Sequence, residues 1–221
     1  MSIDFTGVTA VRIPEGSCVK ITRKSDGVIL WQKPDSGELP SGYTRLEYIS
    51  FTGSQAVDTG VIPDYKSKIE CVFMRDSNDS RYLYGVLSAN HTASVTAYIT
   101  STTGNWRFCG TTKTFSVTRN VKHTTAQSAA GVLFDGRLTA YTGVSAVAAP
   151  AALVLGSARN TTGGLESTYL VGKVYEFRMY DGDTLTADYI PAQNPDGVYG
   201  FWDKIGRTFK TSITGTALSG A

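Results

Sequence analysis

Residues 169–210 read YLVGKVYEFRMYDGDTLTADYIPAQNPDGVYGFWDKIGRTFK, and this stretch decides the fold class. Tyr175, Phe177 and Met179 alternate with Glu176 and Arg178, the period-2 pattern of a half-buried strand. The alternation predicts the first three side chains in a core and the two charged ones in solvent. Asp181-Gly182 breaks the run, and Tyr189-Ile190-Pro191 and the aromatic run Tyr199-Gly200-Phe201-Trp202 follow.

The same rhythm extends outward along the chain. Strands are expected over 56–59, 67–74, 82–87, 95–100, 106–109, 113–117, 122–127, 131–134, 137–141, 153–156, 169–181, 197–202 and 208–211. Turn chemistry separates them at Asp76-Ser77-Asn78-Asp79, Thr103-Gly104-Asn105, Asp135-Gly136, 160–164 and Asp181-Gly182-Asp183, where short polar residues and glycine close tight bends. Residues 43–48 read as one local helical or 3₁₀ turn. Many short strands at this spacing predict an all-β, antiparallel jelly-roll sandwich.

Residues 1–38 form a second, smaller piece. Runs at 8–11, 18–23 and 28–32 are β-prone, and Asp26-Gly27 supplies a tight hairpin turn between the last two. A short N-terminal β-hairpin segment cannot build a large core, so it is expected to dock on something. The candidates are Val19, Ile21, Ile29 and Trp31. Pro34 to Gly42 holds two prolines and two glycines, which marks a boundary near residue 38 and assigns 39–221 to the sandwich.

Composition removes several function classes. The 221 residues carry Lys+Arg 21 against Asp+Glu 19, a net charge of +2, too balanced for a nucleic-acid footprint. No basic stretch precedes an apolar run at the N-terminus, so no signal peptide is expected and synthesis in the cytoplasm is. No apolar run approaches a bilayer span. Asn78, Asn90 and Asn160 each begin an N-x-S/T pattern, which without a signal peptide marks polar loops. Cys18, Cys71 and Cys109 are odd in number with no CxxC spacing, which predicts free buried thiols.

Catalytic and metal signatures are absent. The six glutamates are Glu15, Glu38, Glu47, Glu70, Glu166 and Glu176, and none has an acidic neighbour two residues away. Glycoside hydrolysis needs two carboxylates about 5 to 9.5 Å apart, whereas Glu70 and Glu176 read as isolated residues on a solvated strand face. His91 and His123 are the only histidines, too few for a His-rich metal site. GxSxG, P-loop and dinucleotide fingerprints are missing. No catalytic residue and no cofactor is expected.

The order Leu39-Pro40-Ser41-Gly42-Tyr43-Thr44-Arg45-Leu46-Glu47-Tyr48-Ile49, Thr52-Gly53-Ser54-Gln55, Asp58-Thr59-Gly60, Val132-Leu133-Phe134-Asp135-Gly136-Arg137, Leu153-Val154-Leu155-Gly156, Gly172-Lys173-Val174-Tyr175 and Ile190-Pro191-Ala192 resembles the concanavalin A-like (laminin G/pentraxin-type) jelly-roll domains of bacteriophage virion proteins and gut-bacterial surface proteins. The resemblance covers about residues 39–215. It implies a binding protein: a non-enzymatic virion surface protein, on tail or head, adhering to host or mucosal glycans. Val19-Lys20-Ile21-Thr22 and Gly27-Val28-Ile29-Leu30-Trp31 resemble short leader segments of phage virion proteins, so virion proteins are expected partners and the virion the expected location; the alternative is a hairpin that simply adds to the main sandwich. Relatives of this type often bind calcium, which makes Asp76, Asp79, Asp181 and Asp183 weak candidate ligands. A purely structural capsid decoration or tail accessory protein, and a degenerate glycoside hydrolase or lyase, remain alternatives.

Candidate contacts follow from aromatic spacing. Tyr82 and Tyr84 stand at i, i+2, as do Trp106 and Phe108. Either one member of each pair fills the core, the simpler reading, or the rings stack on a sugar or protein partner. Asn105, Arg107, Arg81, Asn90 and His91 would supply hydrogen bonds beside them. The loop from Ala158 through Arg159 and Asn160 to Gly164 is too polar and glycine-rich to be core, so Arg159 and Asn160 join the candidates. No heptad repeat is present, so any homo-oligomer would form through β-strands or through a docking partner.

Overall fold

In a computed structural model, the described residues are 39–221 and, as backbone, the strands Lys20–Thr22 and Ile29–Gln32. The chain divides into two compact units, Met1–Glu38 and Leu39–Ala221. In the first, β1 (Lys20–Thr22) and β2 (Ile29–Gln32) pair antiparallel, with Ile21 opposite Trp31. The expected strand at 8–11, the turn at 24–27, Cys18 and Val19 lie outside the described residues.

The second unit carries the remaining strands. They are β3 (Thr44–Arg45), β4 (Ile49–Thr52), β5 (Val57–Asp58), β6 (Ser67–Arg75), β7 (Arg81–Val86), β8 (Val95–Ile99), β9 (Thr103–Phe108) and β10 (Thr111–Ser116). They continue as β11 (Lys122–Ser128), β12 (Gly131–Phe134), β13 (Arg137–Ala140), β14 (Val154–Leu155), β15 (Val171–Asp181), β16 (Thr184–Gln193), β17 (Tyr199–Asp203), β18 (Thr208–Lys210) and β19 (Ser219–Gly220). No helix occurs among the described residues.

Two antiparallel sheets face each other as a jelly-roll sandwich. The smaller has six strands in the order β10-β9-β8-β7-β14-β5. The larger follows β13-β12-β11-β6-β15-β16-β17-β18, with β3 added on β16 and β4 pairing both β15 and β19. Period-2 alternation aims one side chain in two at the facing sheet. Thus β6 alternates buried and half-buried along its whole length, placing Ile69, Cys71 and Phe73 inside. Tyr84 of the small sheet meets Phe177 of the large one edge-on at 5.9 Å, and Trp106 meets Phe134 at 5.0 Å.

A sealed polar seam crosses this core. Tyr84 Oη donates to Gln127 Oε1 at 2.9 Å, while Gln127 Nε2 donates to the Arg107 carbonyl at 2.8 Å and to Tyr141 Oη at 3.0 Å. Tyr141 Oη in turn donates to the Trp106 carbonyl at 2.8 Å. Buried polar groups need such partners, and these bonds fix how the two sheets register. Cys71 and Cys109 are free and buried, and burial pushes the Cys109 thiol up to about 11.

The structure corrects four local expectations. Residues 43–48 form no helical turn, because Thr44 and Arg45 pair with Gln193 and Ala192 and tertiary pairing overrides local propensity. Thr103, Gly104 and Asn105 are not a turn but the start of β9: all three pair with β10, and Gly104 and Asn105 pair with β8 as well. Residues 184–193 form a full strand despite Pro191, which pairs with Phe201 while its carbonyl accepts the Leu46 N–H at 3.0 Å.

The fourth concerns Tyr175. The β6–β15 register shifts between Val174 and Glu176, leaving Tyr175 as the extra residue of a bulge. Val174, Phe177 and Met179 enter the core as a result. Tyr175 lies instead against Tyr48, at 5.6 Å, with Lys122 Nζ 4.0 Å over its ring. Glu176 and Arg178 face outward, as the alternation requires.

Candidate functional site

The outer face of the six-stranded sheet gathers the accessible aromatic and polar candidates. Register aligns Tyr82, Tyr98, Asn105 and Thr114 in one row across β7, β8, β9 and β10. Three interstrand gaps make that row about 14 Å long, enough for more than one pyranose ring. A second row beside it holds Gly85, Thr96, Arg107 and Thr112. Rigid strands hold both rows.

Tyr82 and Tyr98 form the apolar centre, with ring centroids 4.6 Å apart and planes inclined by 50°. Both are half-buried. Burial raises the Tyr82 hydroxyl above its ordinary value; Glu166 and Tyr98 push the same way and Arg107 opposes them. The phenol is therefore a neutral donor at physiological pH. Asn105 Oδ1 accepts from Thr114 Oγ1 at 2.7 Å, which orients the amide, and Arg107 Nε donates to Thr112 Oγ1 at 3.3 Å.

Tyr84 and Trp106 do not belong to this face, and here the structure corrects the sequence reading. A register shift between Tyr82 and Tyr84 adds Leu83 to β7, so two residues at i, i+2 point to opposite sides. Tyr84 and Trp106 are both 0% exposed. Trp106 and Phe108 do share a face, and it is the core.

Arg159 and Asn160 position the rim and do not present themselves to a ligand. Arg159 Nη2 meets Asp58 Oδ2 at 2.5 Å, Nε donates to the Ala152 carbonyl at 3.2 Å and Nη1 to the Gly163 carbonyl at 3.0 Å. Asn160 Oδ1 is occupied by the Thr162 N–H and hydroxyl at 3.1 and 2.8 Å. Together they fix the 158–166 segment beside β7, where the Glu166 N–H donates to the Ala158 carbonyl at 2.8 Å. Asn90 likewise caps its own loop, accepting from Thr92, and Arg81 pairs with Asp79 at 2.9 Å. Burial, with Arg107 adding, lowers the His91 imidazole below its ordinary value.

Gly85 permits the close approach of this rim. A Cβ there would stand 2.8 Å from Ala158 Cβ and 3.0 Å from Thr96 Cγ2. Gly85→Val is expected to displace the 158–166 segment and to destabilise by about 1–3 kcal/mol through overpacking. Chemical denaturation, with faster proteolysis at Thr161–Gly164, would measure it.

The weak calcium candidates are not brought together. Asp181 stands opposite Ser67 at one end of β6, whereas Asp76 follows Arg75 at the other, and a nine-residue strand separates them by about 30 Å. No group of three or more His, Cys, Asp or Glu suited to a metal occurs among the described residues.

Glu70 and Glu176 are not isolated. The register sets Arg178 opposite Glu70, so Arg178 reaches Glu176 at 3.1 Å, Asp188 at 3.1 Å and Glu70 at 3.9 Å. Lys68 adds a contact to Glu70 at 3.0 Å and Lys204 pairs with Asp188. Three cations thus balance three carboxylates on the outer face of the large sheet. Glu70, Glu176 and Arg178 border a groove of about 170 Å³ whose other walls are Cys71, Val72, Thr124, Thr125, Ala126 and Leu133. Every carboxylate there has a cationic partner, an arrangement that reads as a structural network.

The sequence reading missed Tyr98, Thr112, Thr114 and Glu166. Only register places the first three beside Tyr82, Asn105 and Arg107, and only the rim loop brings Glu166 near.

No protein-family model and no curated protein matches the chain. Among solved structures it is similar to a candidate carbohydrate-binding protein from Bacteroides ovatus, at 14% identity over 80% of this chain and 60% of that one, with a TM-score of 0.55. It is also similar to the CBM40 module of the Ruminococcus gnavus IT-sialidase bound to alpha2,3 sialyllactose, at 16% identity, 62% and 91% coverage and a TM-score of 0.47. A heptameric SAP-like pentraxin from Limulus polyphemus gives 15% identity, 62% and 76% coverage and a TM-score of 0.43. Likeness at these identities bears on the fold alone.

Proposed function

We propose that residues 39–221 form a non-catalytic glycan-binding sandwich, carried on a phage virion through residues 1–38 and used for adhesion to host or mucosal glycans. One observation carries the binding part: a half-buried tyrosine pair, Tyr82 and Tyr98, continued in register by Asn105 and Thr114, with Arg107 in the adjacent row of a rigid outer face. Aromatic rings stack on the C–H faces of a pyranose, while oriented amide, hydroxyl and guanidinium groups satisfy its hydroxyls. The virion setting rests on the resemblance of residues 39–215 to virion domains of this type.

A shallow face of this kind binds weakly, in the millimolar to micromolar range, roughly 4 to 8 kcal/mol. Display of many copies raises avidity by about 10² to 10⁴ when spacing permits. Tyr82→Ala and Tyr98→Ala, each on the sheet surface, are expected to weaken binding on a glycan array at least about tenfold, the scale of a contact hot spot, with the folded spectrum retained. Particles carrying the protein should adsorb to mucin and particles lacking it should not. Equal adsorption by both would defeat the adhesive reading and leave a purely structural virion component.

A further inference from the structure

Arg107 is chemically unlike the other half-buried or buried arginines of the sandwich. Arg75 is held by the carbonyls of Ser77, Thr100 and Ser101, Arg81 by Asp79, Arg159 by Asp58, and Arg178 by Glu176 and Asp188. Arg107 has no ion-pair partner among the described residues. Its one side-chain hydrogen bond, from Nε to Thr112 Oγ1 at 3.3 Å, fixes the guanidinium while leaving the Nη1/Nη2 fork available. Register sets Arg107 opposite Thr96, on the same outer face and in the row next to Tyr98 and Asn105, and its charge acts on the Tyr82 hydroxyl and on His91.

From this we infer that the Tyr82–Tyr98 face selects acidic glycans, with Arg107 taking the carboxylate of a uronic-type sugar. The inference rests on the glycan-binding reading of the same face and adds the class of sugar. A planar guanidinium fork matches a planar carboxylate with two parallel hydrogen bonds. A partly desolvated site strengthens the pair relative to open water. Neutral sugars would leave this cation without a counter-charge. Glu166, half-buried on the rim, acts on the Tyr82 hydroxyl with the sign opposite to that of Arg107. A carboxylate beside Tyr82 repels an acidic ligand, so Glu166 lowers the affinity without contributing a contact.

The experiment uses the full chain and three probes: trigalacturonic acid, its methyl ester, and neutral galactotriose. Titration calorimetry is expected to show the acid binding at least about tenfold tighter than either neutral probe, with the difference shrinking at high salt. Arg107→Gln should abolish that preference, and Arg107→Lys, which keeps the charge and loses the fork, should retain only part of it. Glu166→Gln should tighten acid binding and leave the neutral probes unchanged. Thermal midpoints close to the parent's would show that Arg107→Gln and Glu166→Gln remain folded. Equal affinity for acid and ester, or an Arg107→Gln variant that keeps the preference, overturns the acidic selectivity while glycan binding stands. Binding of none of the three probes, together with an unresponsive glycan array, overturns the glycan reading itself.

Discussion

Trp106→Ala is expected to cost about 3–5 kcal/mol of folding free energy, the range for truncating a buried tryptophan to alanine. The indole is 0% exposed and touches Phe73 at 6.4 Å, Phe115 at 5.5 Å and Phe134 at 5.0 Å. Its carbonyl also accepts the Tyr141 hydroxyl, so a shifted backbone would loosen the polar seam as well. For a chain of this size the thermal midpoint should fall by roughly 6–20 °C. Glycan binding should follow the folded fraction and nothing else, because the ring never reaches the surface. A variant with an unchanged midpoint and lost binding would return Trp106 to the contact surface. Tyr82→Ala makes the opposite separation, with binding lost and the midpoint nearly kept.

Gly156→Ala is the second large effect, at about 2–5 kcal/mol. Gly156 sits at φ +83, a left-handed conformation that costs an L-residue about 1–2 kcal/mol. Its added Cβ would also overlap the Phe51 ring and lie 3.0 Å from the Gln55 carbonyl, an overpacking of about 1–3 kcal/mol. The Gly156 N–H donates to Leu83 at 2.8 Å and its carbonyl accepts from Leu170 at 2.7 Å, so no easy backbone shift relieves the clash. Because Gly156 leads into the 157–166 rim, glycan affinity should fall along with stability. Denaturant midpoint and array signal measured on one preparation would check both. Wild-type stability would show that Phe51 turns aside.

Several features were legible from residues alone. Alternation within 67–74 and 169–181 fixes strands and an all-β class because side chains on a strand alternate faces whatever the partner strand is. Asp135-Gly136 and Asp181-Gly182 fix tight turns because glycine takes the positive φ such bends need. Asn105 and Arg107 share one face of β9 and Trp106 and Phe108 the other, since this strand keeps its alternation without interruption.

The tertiary structure alone decided which aromatic residues face out. Each ladder irregularity, at Leu83 in β7 and at Tyr175 in β15, inserts one residue and reverses every face assignment that reads across it. A bulge is set by how two distant strands register, so no local pattern announces it. The same holds for the row Tyr82, Tyr98, Asn105 and Thr114, whose members come from four strands and meet only through pairing. Arg178 joins Glu70 to Glu176, and Arg159 turns inward to Asp58, for a related reason. Composition and alternation determine what a strand is, whereas register determines what its side chains meet.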